Sequence, residues 1–570
     1  MKNNIFKIFL LASGLLLNTG CNEEEFLKEV PLDFYSPQNS FINAGNFEAA
    51  LTDLYARVRA IQSVDAGATI YSEVLGTDLA FNARLATDRL GSYAVGLTPQ
   101  GDIPKQHWIR WYKIISNANT IISRAAKSNL TDAQKKTFSS EAKLFRAYAY
   151  FKLVHLYGNV PLIIDEVSTP KSDFTRTPKD DVLKQVVADA TDAATNLPNV
   201  DAVKDGKLNK AVANHLLAET YIALKDYDKA IATATEVIEK SNLKLMTERF
   251  GSLKNQPGDV FYDLFRVGNQ NRKSGNTESI WVIQYELDII GGVLTSSGTG
   301  MNNLERVAAP ATFSMSDPDG KPALVDGASA STLNSGGRGV AFVQPTDYWT
   351  YEIWGLDPKK DNRKLDASVT DIRTSPFNIP RDFIYTNPLS TRFFGKSLID
   401  FPAPNWNNAT SRWRWFPYPS KITTPGQHPA GVVQDQTKLT LKTSAGATFR
   451  DMYMIRLPET ILLRAEAQLL KGNTSAAAAD INLVRNRAKA KPVTADEVTL
   501  DYILDERARE LMYEEDRRIT LSRMGKLVER VKKYNALSGP TIQPFNALFP
   551  IPYSEIEANK DAKLEQNPGY

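Results

Sequence analysis

A mainly α-helical fold is predicted, with tetratricopeptide-like helical hairpins forming a scaffold around a loop-rich mixed insertion. Three observations predict it. Apolar residues recur at helical spacing toward both ends of the chain, as in the stripe Phe138, Ala142, Phe145, Ala149, Leu153 and Leu156. Two stretches share the layout of a repeat hairpin. The first, "NHLLAETYIALKDYDKAIATATEVIEKS", carries Leu217, Ala218 and Tyr221, a turn at Lys225-Asp226-Tyr227, and Ala230. The second, "LLRAEAQLLKGNTSAAAADINLVRNRA", places Ala465, Gly472 and Ala477 at matching offsets. Between residue 251 and about 445 helical periodicity lapses, Gly, Ser, Pro, Asn and Thr rise, and six of the eight Trp occur.

Taken in order, residues 1–20 read as a signal segment. Lys2 and Lys7 precede a greasy run from Ile8 to Leu17 that is too short to span a bilayer. Cys21, the single cysteine, follows directly, with Asn18 where a lipobox usually has Leu. A lone thiol has no disulfide partner, and its position fits the lipid-modified first residue of a mature lipoprotein. Residues 21–250 form an N-terminal helical part, including "NFEAALTDLYARVRAI" and a helix ended by Gly158 and Pro161. Residues 251–445 are the aromatic insertion, with strand-like runs such as "SIWVIQYEL" among turns. Residues 446–570 return to helix.

Composition narrows the function. Net charge is +3 and charged residues make up 23% of the chain, which gives no footprint for nucleic acid. Four histidines, no HExxH, no Cys/His cluster and no Gly-x-Ser-x-Gly elbow leave no catalytic residue, metal site or cofactor to name. His155 and His215 are expected to be packed or capped. Glycoside hydrolysis needs two carboxylates flanking one bond, and no local pattern points to such a pair.

Six segments resemble the SusD/RagB family of outer-membrane nutrient-binding lipoproteins of Bacteroidetes. They are "CNEEEFLKEVPLDFYS", "WYKIISNANTII", "FRAYAYFKLVHLYGNVPLI", "RLPETILLRAEAQLLKG", "ERARELMYEEDRRITLSRMG" and "LFPIPYSEIEANKDAKLEQNPGY". The resemblance covers nearly the whole chain, and its last three segments are highly specific in that order. It implies a partner, a SusC-like TonB-dependent β-barrel over which the lipoprotein sits as a lid. It also implies an oligosaccharide ligand and a lipid-anchored place at the outer membrane, facing outward. Glu23-Glu24-Glu25 would then be either a sorting signal or a solvated linker. Arg507, Glu510, Arg517 and Arg518 belong to these motifs and are expected to be ion-paired support between helices.

Sugar rings present an apolar face to aromatic side chains and a hydroxyl rim to Asn, Asp, Arg and Gln. Two stretches combine both, in regions where the resemblance places ligand contacts. "TDLAFNARLATDRLGSYAVG" offers Asp78, Phe81, Asn82, Arg84 and Tyr93. "GRGVAFVQPTDYWTYEIWGLDPKKDNR" offers Arg338, Asp347, Tyr348, Trp349, Tyr351 and Trp354. Trp108, Trp111 and Trp281 read as core, while Trp349 and Trp354 fit packing and ligand contact equally. "RWRWFPYP", read as a strand, would put two rings on one face and two guanidiniums on the other. That is a ladder sealing the insertion or a sugar platform. Peptide cargo, a gating lid with little affinity of its own, and a surface glycosidase are the competing functions.

Overall fold

Local chemistry sets the first helices. The computed structural model describes residues 41–62, 71–84, 89–288, 302–325, 337–357, 369–404, 411–438, 440–442 and 450–570. The signal segment, Cys21, the acidic run at 23–25 and Trp406 lie outside the described residues. Helix α1 spans Ala44–Gln62, α2 Asp102–Lys127 and α3 Asp132–Tyr157. Thr131 starts α3 with a reciprocal cap: its hydroxyl accepts from the Gln134 N–H at 3.3 Å, and the Gln134 side chain accepts from the Thr131 N–H at 3.1 Å. Gly158 ends it at φ 74°, a left-handed value that a Cβ would penalise. The stripe from Phe138 to Leu156 is buried throughout, and α1 and α2 pack on α3. Each large apolar side chain so buried contributes about 1.5–3 kcal/mol.

The helices then stack as an array. Helix α4 (Lys179–Asn196) packs on α3, α5 (Lys210–Ala223) on α4, and α6 (Tyr227–Lys240) on α5. Lys225 turns the α5–α6 hairpin at φ 63°, and the Asp226 carboxylate caps α6 by accepting the Lys229 N–H at 3.3 Å. Next the chain order jumps. Helix α6 packs on α7 (Leu457–Leu470), which pairs with α8 (Thr474–Arg487). Ile222, Ala230, Leu463 and Ala467 form one apolar cluster at that junction. The two predicted hairpins therefore stack directly on each other, as repeat units must to bury their faces. Helices α9 (Leu500–Leu511), α10 (Arg517–Arg523) and α11 (Leu527–Tyr534) complete the frame.

Short antiparallel pairs tie in the intervening region. Strand β1 (Ala80–Asn82) pairs with β3 (Val343–Pro345), β2 (Ser279–Ile283) with β6 (Met452–Arg456), and β4 (Val433–Asp435) with β5 (Thr440–Leu441). Trp281 on β2 is buried edge-on against Tyr148, with ring centroids 5.4 Å apart. Trp108 and Trp111 are buried in α2. The 411–414 stretch departs from its strand reading. The Arg414 N–H donates back to the Ser411 carbonyl at 2.9 Å and closes a turn, leaving Trp415 buried and Trp413 half-buried.

A buried ion network docks the insertion. Glu510 accepts from Arg456 at 3.1 Å and from Arg373 at 3.3 Å, and also pairs with Arg487. Arg373 also reaches Glu506 at 2.8 Å, and Lys421 gives a 2.5 Å bond to Glu514. Burial opposes the Glu510 charge, but Arg487, Arg456 and Arg373 outweigh it and hold its pKa well below the usual carboxylate range. The motif residues are the support expected of them. Arg507 pairs with Glu515 at 2.6 Å and Arg517 with Asp78 at 2.7 Å. Arg518 differs in partner: it donates to the Tyr93 hydroxyl at 3.0 Å and the Asn546 carbonyl at 2.7 Å, and lies over Phe549.

Candidate functional site: a guanidinium–aromatic platform

Pairing of β1 with β3 sets Phe81 opposite Gln344 and Asn82 opposite Val343, so the two stretches chosen from sequence become one ribbon. The ribbon extends where the Ala83 N–H donates to the Phe342 carbonyl at 3.3 Å. Its far side lies on residues 306–311, with Ala341 N–H to Ala309 carbonyl at 3.1 Å. The Ala311 N–H in turn donates to the Trp413 carbonyl at 3.1 Å, which brings in the Arg-Trp stretch. Gly339 makes the close approach possible, because a Cβ there would sit 2.2 Å from the Ala309 carbonyl oxygen. Gly339 thus lets the neighbouring Arg338 sit on the platform.

On this platform guanidiniums lie over aromatic rings. Arg84 is 4.4 Å from the Trp413 centroid and 5.8 Å from that of Phe342. Arg412 is 4.5 Å from Phe81, and Arg338 is 4.6 Å from Phe313. Arg414 stands 5.5 Å from Trp413. These are cation–π distances. Asn82 helps aim Arg84: its Oδ1 accepts the Arg84 N–H at 3.1 Å, and the Arg84 Nη1 donates to the Val340 carbonyl at 3.1 Å. Arg84 and Asp347 are exposed, while Arg338, Arg412, Trp413 and Arg414 are half-buried. Burial lowers the pKa of Arg84, Arg338 and Arg412, and Arg306 adds like-charge repulsion at Arg338. At Asp347 the loss of solvent raises the pKa, against the pull of Arg412.

The remaining predicted residues sit inside the frame. Asp78 is fully buried and accepts from Arg517 and Arg530, each at 2.7 Å. Burial opposes its charge, and those two arginines overcome it to lower the pKa. The Tyr93 hydroxyl donates to the Gly76 carbonyl at 2.7 Å. Tyr348 bonds Asp505 and stacks on Tyr534 at 3.8 Å. Trp349, 1% exposed, donates its indole N–H to the Ala508 carbonyl at 3.0 Å. The Trp354 indole donates to the Trp349 carbonyl at 2.7 Å. Neither indole presents a free face. Arg412 and Trp413 belong to "RWRWFPYP", read from sequence as a ladder or a sugar platform without being named as contacts, and Phe342 and Phe313 were not singled out at all.

His155 and His215 are buried against the Phe151 carbonyl and the Thr460 hydroxyl, each at 2.8 Å. An apolar groove of about 410 Å³ is lined by Trp108, Ile109, Tyr112 and Phe174. Among the described residues no cluster of His, Cys, Asp and Glu is arranged to hold a metal, and no helix is long and apolar enough to cross a membrane.

Comparison with known proteins gives the class. Residues 277–570 match the model of the SusD family, and residues 28–222 match a model described as "Starch-binding associating with outer membrane". The first match spans more than half of the chain, which therefore belongs to the SusD family. SusD-like protein P2 of Formosa agariphila is 24% identical over 578 residues, covering 98% of each chain. A SusD-like protein of Bacteroides ovatus is 26% identical over 304 residues, 49% of this chain and 50% of that one. Among solved structures, a SusD homolog from Bacteroides thetaiotaomicron superposes with a TM-score of 0.67 at 18% identity, covering 96% of this chain and 100% of its own. A laminarin-binding SusD-like protein gives 0.65 at 21% identity, covering 93% and 100%. A surface glycan-binding protein of Bacteroides thetaiotaomicron in complex with laminarihexaose gives 0.60 at 17% identity, covering 92% and 99%. At these identities the likeness is one of fold.

Proposed function

We propose that this chain is a non-catalytic lipoprotein of the outer membrane, anchored through Cys21, that binds an oligosaccharide and passes it to a SusC-like TonB-dependent barrel. The observation that carries the reading is the platform itself. Arg84 from one predicted stretch lies exposed over Trp413, and Arg412 covers the buried Phe81 beside it, while Arg338 and Asp347 come from the stretch that pairs with β1. Family membership supports it, as do relatives described as binding laminarin and laminarihexaose. The rings hold the guanidiniums in place, and the guanidiniums offer directed donors to a ligand's oxygens. Release into the barrel must follow capture, so affinity is expected to be modest, about −8 kcal/mol or micromolar.

Calorimetry of the full chain in detergent against an oligosaccharide panel tests the binding. At least one member is expected to bind, and W413A is expected to weaken it about tenfold or more with the circular dichroism unchanged. A barrel that copurifies with a chain binding no glycan would instead favour a gating lid. Labelled palmitate that attaches to the wild type and not to Cys21→Ser would support the anchor; labelling of both would remove it.

A further inference from the structure

We propose that the platform selects anionic oligosaccharides, those carrying carboxylate or sulfate groups; this rests on the glycan-binding reading and deepens it. Charge is the first observation. The chain as a whole is nearly balanced, with 68 Lys and Arg against 65 Asp and Glu. The platform carries Arg84, Arg306, Arg338, Arg412 and Arg414, and Asp347 is the carboxylate that faces Arg412. Elsewhere six deeply buried arginines, Arg373, Arg456, Arg487, Arg507, Arg517 and Arg523, each hold a carboxylate, whereas Arg266 and Arg518 donate to carbonyl and hydroxyl oxygens. Arg84, Arg338, Arg412 and Arg414 make no ion pair among the described residues.

Hydrogen-bond sense is the second. The Nε atoms of Arg338, Arg412 and Arg414 are buried with no hydrogen-bond partner among the described residues. Guanidiniums only donate, whereas a neutral sugar hydroxyl donates as well as accepts and is best met by groups of both kinds. Carboxylates and sulfates are acceptor groups, and the guanidinium fork meets them with charge-assisted bonds. Ring exposure is the third. The faces of Phe81, Phe313 and Trp413 that a neutral sugar would stack on already carry Arg412, Arg338 and Arg84. A ligand approaching this surface meets cations before it meets rings.

The test is calorimetry of the full chain in detergent with three probes of equal length: a neutral β-glucan, an oligogalacturonate and a sulfated galactan. The expected result is binding of one or both anionic probes, weakened about tenfold or more by R338A, by R412A and by the exposed R84A. That binding should also fall steeply with added salt. The uronate and sulfate arms separate the two sources of charge. Binding of the neutral glucan alone, lost in W413A and indifferent to salt, would overturn the inference and leave the glycan-binding reading standing. Anionic binding unchanged by all three arginine variants would overturn the placement. No binding of any probe by a folded chain would count against both.

Discussion

Asp78 and Arg84 lie in the same short stretch and have opposite surroundings. The Asp78 carboxylate is fully buried between Arg517 and Arg530, and Arg84 lies exposed at the end of the β1–β3 ribbon, over Trp413. Removing one member of a buried charged network strands the others, at a cost of about 3–5 kcal/mol. D78N is therefore expected to lower stability by that amount in urea unfolding, while R84A leaves the unfolding midpoint in place and weakens glycan binding. An unchanged midpoint for D78N would contradict a supporting role. The sign with pH follows from the lowered pKa. The Asp78 contribution is present above its unfolded value, about 3.9, and is lost as pH falls through the lower folded value. Sequence could not separate these two residues, because both are polar groups beside aromatics. Their difference depends on arginines that reach Asp78 from α10 and α11.

The segments beneath the platform carry their own pH dependence. Glu305, on the short helix Leu304–Ala308, accepts from His428 at 2.8 Å and from the Thr424 N–H at 3.0 Å. Gly337 passes so close that a Cβ there would overlap the Glu305 carboxylate. Burial opposes the imidazolium, but Glu305 outweighs it, and the His428 pKa is raised. Its stabilisation is thus fully present below the unfolded value of about 6.5 and lost as pH rises through the folded value. Urea unfolding should show H428Q losing more stability against wild type at about pH 5.5 than at about pH 9. An equal loss at both would show that the charged pair contributes nothing. Elements of this kind were hidden in the sequence, whereas the α5–α6 and α7–α8 hairpins were legible. A hairpin is written locally, in its periodicity and turn residues such as Asp226. The pairing of Ala80 with Pro345 is non-local, and nothing in either stretch announces it. The same limit explains why Trp349 and Trp413 looked alike from sequence, although one is sealed against α9 and the other carries Arg84.

At the scale of the whole molecule, the frame is continuous across the insertion, because α6 meets α7 directly. The insertion is fastened where β2 meets β6, where β1 meets β3, and through Arg373 and Lys421 to the α9 end. Cargo on the platform would rest on residues tied to α9, α10 and α11 through Asp78, Tyr348 and Trp349. Function turns on where the glycan binds. A crystal structure of the chain soaked with the tightest-binding oligosaccharide tests this most directly. It should show ligand density against Arg84, Arg338 and Arg412 beside Trp413. Density seated instead in the groove of Ile109, Tyr112 and Phe174, with the arginine platform empty, would contradict it.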